Sequence, residues 1–401
     1  MVHQTIRSSS TRAASASRKI KLMKRLQYWL ISLSILGTLV ACATRPAQQG
    51  ASVQPAVVPE APPHVAAIEP VTDIAHERSR WMPAAWDELP GWPEASLHEV
   101  WQAWIRSCQS PATALAALCA EVRQMPLADA DAQRSWLTTR LQPYRIEAVN
   151  QAEQPLLTGY YEPVLDASRV PRGEFVIPLH SPPAALRPRT TWYSRKEMDL
   201  NAQARLALRG REIAYVAHAA DLLTLQIQGS GRLLIQEGNG ERRMVRLAYA
   251  GTNNQPYRSV GRWLLNRGEL RDASWPSIRS WMERNPGRVQ EMMWSNPRVV
   301  FFREEVLSED PSLGPVGAQG VPLTAGRSIA VDPGSMPYGT PVWLVSSGRY
   351  VQLSKLVLAQ DTGSAIRGGV RADYFTGTGA AAGELAGRLK QPLQMWALWP
   401  R

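Results

Sequence analysis

The chain has 401 residues and a formal charge of +11, enough length for two domains with cores of their own. Seven basic residues and no acidic ones lie in the first 41 positions; without that segment +11 falls to +4, so the basic excess is no argument for nucleic acid as a partner. The six histidines, His3, His64, His76, His98, His180 and His218, are dispersed without ligand spacing to a carboxylate or cysteine, which speaks against a metal enzyme.

From the N-terminus, the basic stretch runs into the apolar segment "LQYWLISLSILGTLVA", too short and too sharply ended for a membrane span and suited to a secretory signal over residues 1–41. "LVAC", Leu39 to Cys42, then places small residues directly before a cysteine, the processing pattern of bacterial lipoproteins. Cleavage there makes Cys42 an acylated N-terminus, and multiple acyl chains, at roughly 0.8 kcal/mol per buried methylene, hold a soluble body at a membrane. Ala43 in place of aspartate points to the outer membrane; the alternative is an ordinary buried cysteine after a cleaved signal. Residues 42–74 are rich in Pro, Ala, Val and Gln without apolar periodicity and read as a tether.

From Trp81 to about Arg145 the pattern is helical: "SLHEVWQAWIRSCQ" sets Leu97, Val100, Trp101, Trp104 and Ile105 on one face. Cys108 and Cys119 flank Pro111 here, and an oxidising compartment permits a disulfide as readily as two free thiols. "QPLLTGYYEPVLDAS" reads as a strand closed by Pro163, "LLTLQIQGSGRLLIQEG" as a hairpin around Gly229 to Gly231, and "RMVRLAYAG" as a further strand. A helical patch follows from Ser259 to about Trp294. The last hundred residues return to strands, with a short Ala/Gly helix near 379–389. The expected class is mainly β with helical additions. Residues 75–165 form the helical lead-in and first part of a barrel, 166–298 an inserted β domain, and 299–401 the rest of the barrel, with a groove between the two parts.

The chemistry concentrates in "LAQDTGSAIRGGVRADYF" (358–375), which holds Asp361 and Asp373. Asp361 sits in Asp-Thr-Gly-Ser, as in aspartic proteases, but that chemistry needs two carboxyls sharing a proton and the motif occurs once, so only a homodimer satisfies it. Glycoside cleavage needs a carboxyl whose proton affinity is raised by an apolar setting, and Asp373 is flanked by Ala372, Tyr374 and Phe375. Either aspartate alone reads equally as a cap or turn residue. Fifteen Trp against four Phe suit sugar faces, although Trp also serves cores. "IQGSGRL" lacks the strand-to-helix setting of a serine hydrolase elbow.

"TGYYEPVLDAS", "LQIQGSGRL", "YAGTNNQPYRSVGRWLL", "SIAVDPGSMPYGTPVWL" and "AQDTGSAIRGGVRADYFTGTG" resemble, in this order, signature segments of the membrane-bound lytic murein transglycosylase A family, from about residue 150 to the C-terminus. The resemblance implies a double-psi β-barrel with an inserted second β domain and a glycan groove between them. It also implies non-hydrolytic scission of the β-1,4 bond between N-acetylmuramic acid and N-acetylglucosamine, with no cofactor. It assigns the acid/base role to Asp373 and an auxiliary role to Asp361. Asp332 of "VDPGSMPYG" is a third candidate that a Pro-Gly turn explains equally well. Sugar contacts are expected from Gln226, Gln228, Ser230, Arg232, Tyr249, Asn253, Tyr257 and Arg258, each of which is otherwise a surface polar residue of a sheet. The expected partners are peptidoglycan strands, the outer membrane through the lipid anchor, and cell-wall synthesis proteins. A hydrolytic muramidase and a non-catalytic wall-binding lipoprotein stand as alternatives.

Overall fold

The computed structural model describes residues 72–401; the signal segment, Cys42 and nearly all of the tether lie outside the described residues. The lead-in consists of β1 (Ile74–Ala75), β2 (Ser79–Pro83), α1 (Val100–Ser107), α2 (Cys119–Val122), α3 (Ala130–Arg140) and β3 (Leu141–Ala148). There follow β4 (Leu156–Glu162), β5 (Val164–Ser168), β6 (Ile177–His180), α4 (Arg195–Leu200), α5 (Ala202–Leu208), β7 (Glu212–Val216), α6 (Ala219–Gln228), β8 (Gly231–Gln236) and β9 (Arg242–Thr252). Next come α7 (Val260–Asn266), α8 (Trp275–Arg284), α9 (Val289–Ser295), β10 (Val300–Glu305), β11 (Leu313–Val316), β12 (Pro322–Thr324) and β13 (Ser328–Val331). The chain closes with β14 (Pro341–Ser347), β15 (Gln352–Asp361), β16 (Arg371–Thr378), α10 (Ala380–Arg388), β17 (Lys390–Gln391) and β18 (Gln394–Pro400).

A ten-stranded mixed sheet runs β1-β2-β3-β18-β14-β15-β13-β16-β4-β17, and a six-stranded sheet runs β10-β9-β8-β5-β7-β6. The smaller sheet curls until its edge strands β10 and β6 approach, giving a nearly closed barrel. In the larger one the parallel pairs β13–β15 and β16–β4 stand among antiparallel neighbours, the mixed pairing expected of a double-psi barrel. The molecule is mainly β with helical additions, as its sequence implies.

The lead-in departs from its helical expectation at both ends, where β2 and β3 pair with each other and β3 with β18. Around α1 the spacing holds: Val100, Trp101 and Trp104 of the helix and Leu97 before it are buried in one cluster with Trp343, Leu356, Leu358 and Trp396, and Ile105 packs against it partly buried. Cys108 and Cys119 form a disulfide. The expected hairpin at 222–238 is half helix. Leu223, Leu225 and Ile227 alternate like a strand, yet only the first two are buried, Ile227 is exposed, and Gly229 at φ +80° supplies the left-handed cap that ends α6. The segment Val300–Glu305, expected among the barrel strands, pairs with β9 in the six-stranded sheet. Phe301 and Phe302 are buried on opposite faces there, in separate apolar clusters.

The two sheets meet at Pro163, between β4 and β5. Glu162, with no exposed surface, receives Arg246 Nε at 2.6 Å, Arg232 Nε at 2.7 Å and the Thr378 hydroxyl at 2.9 Å. Both guanidinium groups also donate to the Leu313 carbonyl, Arg232 at 3.1 Å and Arg246 at 2.8 Å. The joint is thus a buried carboxylate of one sheet gripped by two cations of the other.

Candidate active site

Two aspartates reach one face of the ten-stranded sheet through a break in strand regularity. Along β15, Ala359 lies opposite Ile329, but the next pairing is Asp361 with Ala330, so Gln360 is one residue too many on that strand. Such a bulge re-aims the side chains beyond it. Ile329, Ala359 and Tyr374 face the barrel core, whereas Asp361 and Asp373 both stand opposite Ala330. Cross-strand partners share a face, and two strand spacings put the Cα atoms about 10 Å apart.

Both carboxyls line a cleft of about 660 Å³ between the sheets. Gln226, Gln228, Ser230, Tyr249 and Tyr257 line its far wall, with Arg298 and Arg303; the β11–β12 hairpin and residues 362–367 complete the near side. A second cavity of about 500 Å³, lined by His180, Arg195, Asp199 and Glu212, shares only Gln226 and Val300 with the cleft and holds neither Asp361 nor Asp373.

Asp373 Oδ1 accepts from the Thr158 hydroxyl at 2.6 Å, and Arg371 Nη2 donates to the same hydroxyl oxygen at 2.8 Å. Burial pushes the Asp373 carboxyl above its ordinary value, opposed by the Thr158 hydroxyl and the Arg371 charge. Asp361 accepts from the Tyr160 hydroxyl at 3.0 Å and from the Ala318 backbone N–H at 3.0 Å. Burial is the main force raising it to about 6, with repulsion from Asp373 adding to it and N–H and O–H donors from Thr362, Ala318 and Tyr160 opposing. Each carboxyl is tied to its own partner; the arrangement is not a proton-sharing protease dyad. Among the described residues no cluster of His, Cys, Asp or Glu is arranged to hold a metal ion.

A pH effect on stability follows. A carboxyl whose proton affinity rises on folding is protonated more readily in the native state, so the stability it contributes is full below 3.8 and is lost as pH climbs through about 6. Between those limits Asp361→Asn is expected to gain about 2 kcal/mol relative to the parent, with allowance for the water-facing cleft. Urea midpoints at pH 4 and 7 for both proteins test this; parallel changes refute it.

Four of the expected site residues do not line the cleft. Asp332 is buried, accepts from the N–H groups of Gly334 at 3.0 Å and Gly368 at 2.9 Å, and pairs with Arg78 at 3.2 Å. It organises the loops under the cleft, as the Pro-Gly turn reading had it. Arg232 is consumed by Glu162 at the joint. Asn253 has no exposed surface; its side-chain amide donates to the Tyr193 and Pro297 carbonyls and accepts from the Val299 N–H. Arg258 is exposed and does not line the cleft. Sequence reading missed Tyr160 and Thr158, although both stand in "TGYYEPVLDAS"; their pairing with the aspartates depends on the register of β4 against β16, where Thr158 meets Asp373.

Residues 156–303 match the family model described as the MltA specific insert domain, and residues 327–399 match the 3D domain. The membrane-bound lytic murein transglycosylase A of Escherichia coli K12 is 32% identical over 267 residues, which is 64% of this chain and 68% of that protein. Among solved structures, the lytic transglycosylase LtgG of Burkholderia pseudomallei is 41% identical with a TM-score of 0.54, covering 84% of this chain and 98% of that one. E. coli MltA with bound chitohexaose is 27% identical with a TM-score of 0.62, covering 76% and 90%. The two aspartates, their cleft and both matched segments lie on a chain that belongs to the membrane-bound lytic murein transglycosylase A family.

Proposed function

We propose that the protein is a lytic transglycosylase that cuts the β-1,4 bond between N-acetylmuramic acid and N-acetylglucosamine in peptidoglycan, with Asp373 as acid and base. The observation that carries this reading is the pair of carboxyls, both pushed toward protonation, on one face of a cleft whose far wall offers Tyr249, Tyr257, Gln226 and Gln228. Tyrosine rings suit sugar faces and amides suit hydroxyls, and binding of chitohexaose by the E. coli relative supports a glycan as occupant.

In the productive state the proton is on Asp373 and the charge on Asp361. A glycan lying over the cleft removes water from Asp373 and raises its proton affinity further. Asp373 protonates the glycosidic oxygen as the bond breaks. The C6 hydroxyl of the same muramoyl residue attacks the oxocarbenium-like C1, and its proton returns to Asp373. The product end is a 1,6-anhydro ring and no water enters. An intramolecular hydroxyl has a large effective concentration over solvent, so no second carboxylate is needed as nucleophile. Asp361, held by Tyr160 and Ala318, is the auxiliary charge.

The test is a digest of purified sacculi with products weighed. Muropeptides one water lighter than reducing-end products are expected; reducing ends would make the protein a hydrolytic muramidase, and no release at all a wall-binding protein. We further propose acylation at Cys42 as the membrane attachment, with the body in the periplasm at the outer membrane and cell-wall synthesis proteins as partners. No helix among the described residues is long and apolar enough to cross a membrane, and membrane-bound relatives support attachment by other means.

A further inference from the structure

Two segments beside the cleft lie outside both matched family segments: the lead-in helix α1 and the β11–β12 hairpin. They are joined to each other and to Asp361 by one run of hydrogen bonds. Gln319, at the hairpin tip and 7% exposed, accepts from the Ser107 hydroxyl at 3.1 Å and donates through Nε2 to the Ser110 carbonyl at 2.9 Å. Its backbone N–H donates to the Gln360 carbonyl at 3.0 Å. Gln360, the bulge residue, has no exposed surface and donates from Nε2 to the Ala103 carbonyl at 3.0 Å and to Ser107 Oγ at 2.8 Å. Ser107 therefore uses its single hydroxyl as donor to one glutamine and acceptor from the other, committing its one proton and one of its two lone pairs.

The tip also packs backbone to backbone on the bulge. A Cβ on Gly317 would come within 2.5 Å of the Gln360 carbonyl oxygen, so only glycine lets the hairpin lie this close. The residue between Gly317 and Gln319 is Ala318, whose N–H is on Asp361 Oδ1 at 3.0 Å. The side chains that clamp this donor, Gln319, Gln360 and Ser107, are not among the residues that line the cleft.

We propose that Gln319 is a positioning residue: clamped to the end of α1, it holds the hairpin tip so that the Ala318 N–H stays on Asp361 and keeps that carboxylate charged beside Asp373. This rests on the catalytic reading of the two aspartates given above, and it assigns a task to the helical lead-in. The groups facing Asp361 from the packed elements are Tyr160 of β4, Asp373 of β16 and Tyr338 ahead of β14, with Arg367 in the following loop. The tip itself, Gly317 to Gly320, carries no charge, so its influence on Asp361 passes through the N–H alone.

The test compares the full chain with Gln319→Met, which keeps volume and removes the clamp, and with Ser107→Ala, which removes its partner. The readouts are anhydromuropeptide release from sacculi across pH, sacculus binding, and thermal unfolding. Loss of one N–H donor disfavours the charged carboxylate by about one pH unit, so in both variants the acid limb of the rate profile is expected to move up by about that much. Release should fall about tenfold at pH 5 and about twofold at pH 7, with binding unchanged. In an Asp361→Asn background, Gln319→Met should move the profile no further. An unmoved acid limb, or a loss of rate that follows unfolding at every pH, overturns the proposal. Asp373→Ala run in parallel separates the two levels: if it abolishes release while Gln319→Met leaves the profile unmoved, only the positioning role falls, and if it still releases product, the catalytic reading falls as well.

Discussion

Asp373→Ala is expected to lower anhydromuropeptide release from sacculi by about 10³-fold, the scale on which a positioned general acid contributes, while leaving sacculus binding within about twofold. The geometry separates the two effects. Asp373 is half-buried on the near wall, whereas the tyrosines and amides that suit a glycan stand on the opposite wall. Alanine also removes a group that the Thr158 hydroxyl and, through it, Arg371 are oriented to meet, so Asp373→Asn is the companion variant that keeps an acceptor for Thr158 and still cannot act as an acid. Equal losses in the two variants identify proton transfer as the missing step. A variant that retained a tenth of the parental rate would remove Asp373 from the mechanism.

The second large effect is on folding. Glu162→Ala leaves Arg232 and Arg246 facing each other at the joint without their counter-charge, and Arg246 is itself almost wholly buried. Breaking a buried ion cluster from one side costs about 3–5 kcal/mol because the remaining charges are neither solvated nor paired. For a body of this size that is a fall of roughly 10 °C in the unfolding midpoint. The cleft has one wall on each sheet, so the surviving fold should also bind sacculi more weakly. A midpoint within about 2 °C of the parent, measured by calorimetry at one pH, would show that Pro163 and the apolar contacts hold the joint without Glu162.

Much of this was legible in the residues because it depends on local spacing. The apolar face of α1, the Gly/Ala helix α10, the capped helices of 259–295 and the two aspartates of "LAQDTGSAIRGGVRADYF" follow from periodicity, turn chemistry and motif order. Where the sequence misled, a local pattern had two physical solutions. Leu223, Leu225 and Ile227 fit a strand until Gly229 caps them as a helix. Val300–Glu305 is a strand in either sheet, and burial of both its faces in the smaller barrel decides which.

By itself, then, the sequence determined which carboxyls were available, which segments are strands and helices in outline, and the likeness that named a chemistry. Tertiary structure alone decided that Gln360 is an extra residue on its strand, and a one-residue offset turns Asp361 from the core to the cleft because side chains alternate with period two. It also decided that Tyr160 and Thr158 meet the aspartates, and that Arg232, Asn253 and Asp332 are tied by hydrogen bonds into the frame around the cleft. Those outcomes depend on register and on which surfaces are buried together, and neither is encoded in the spacing of any one stretch.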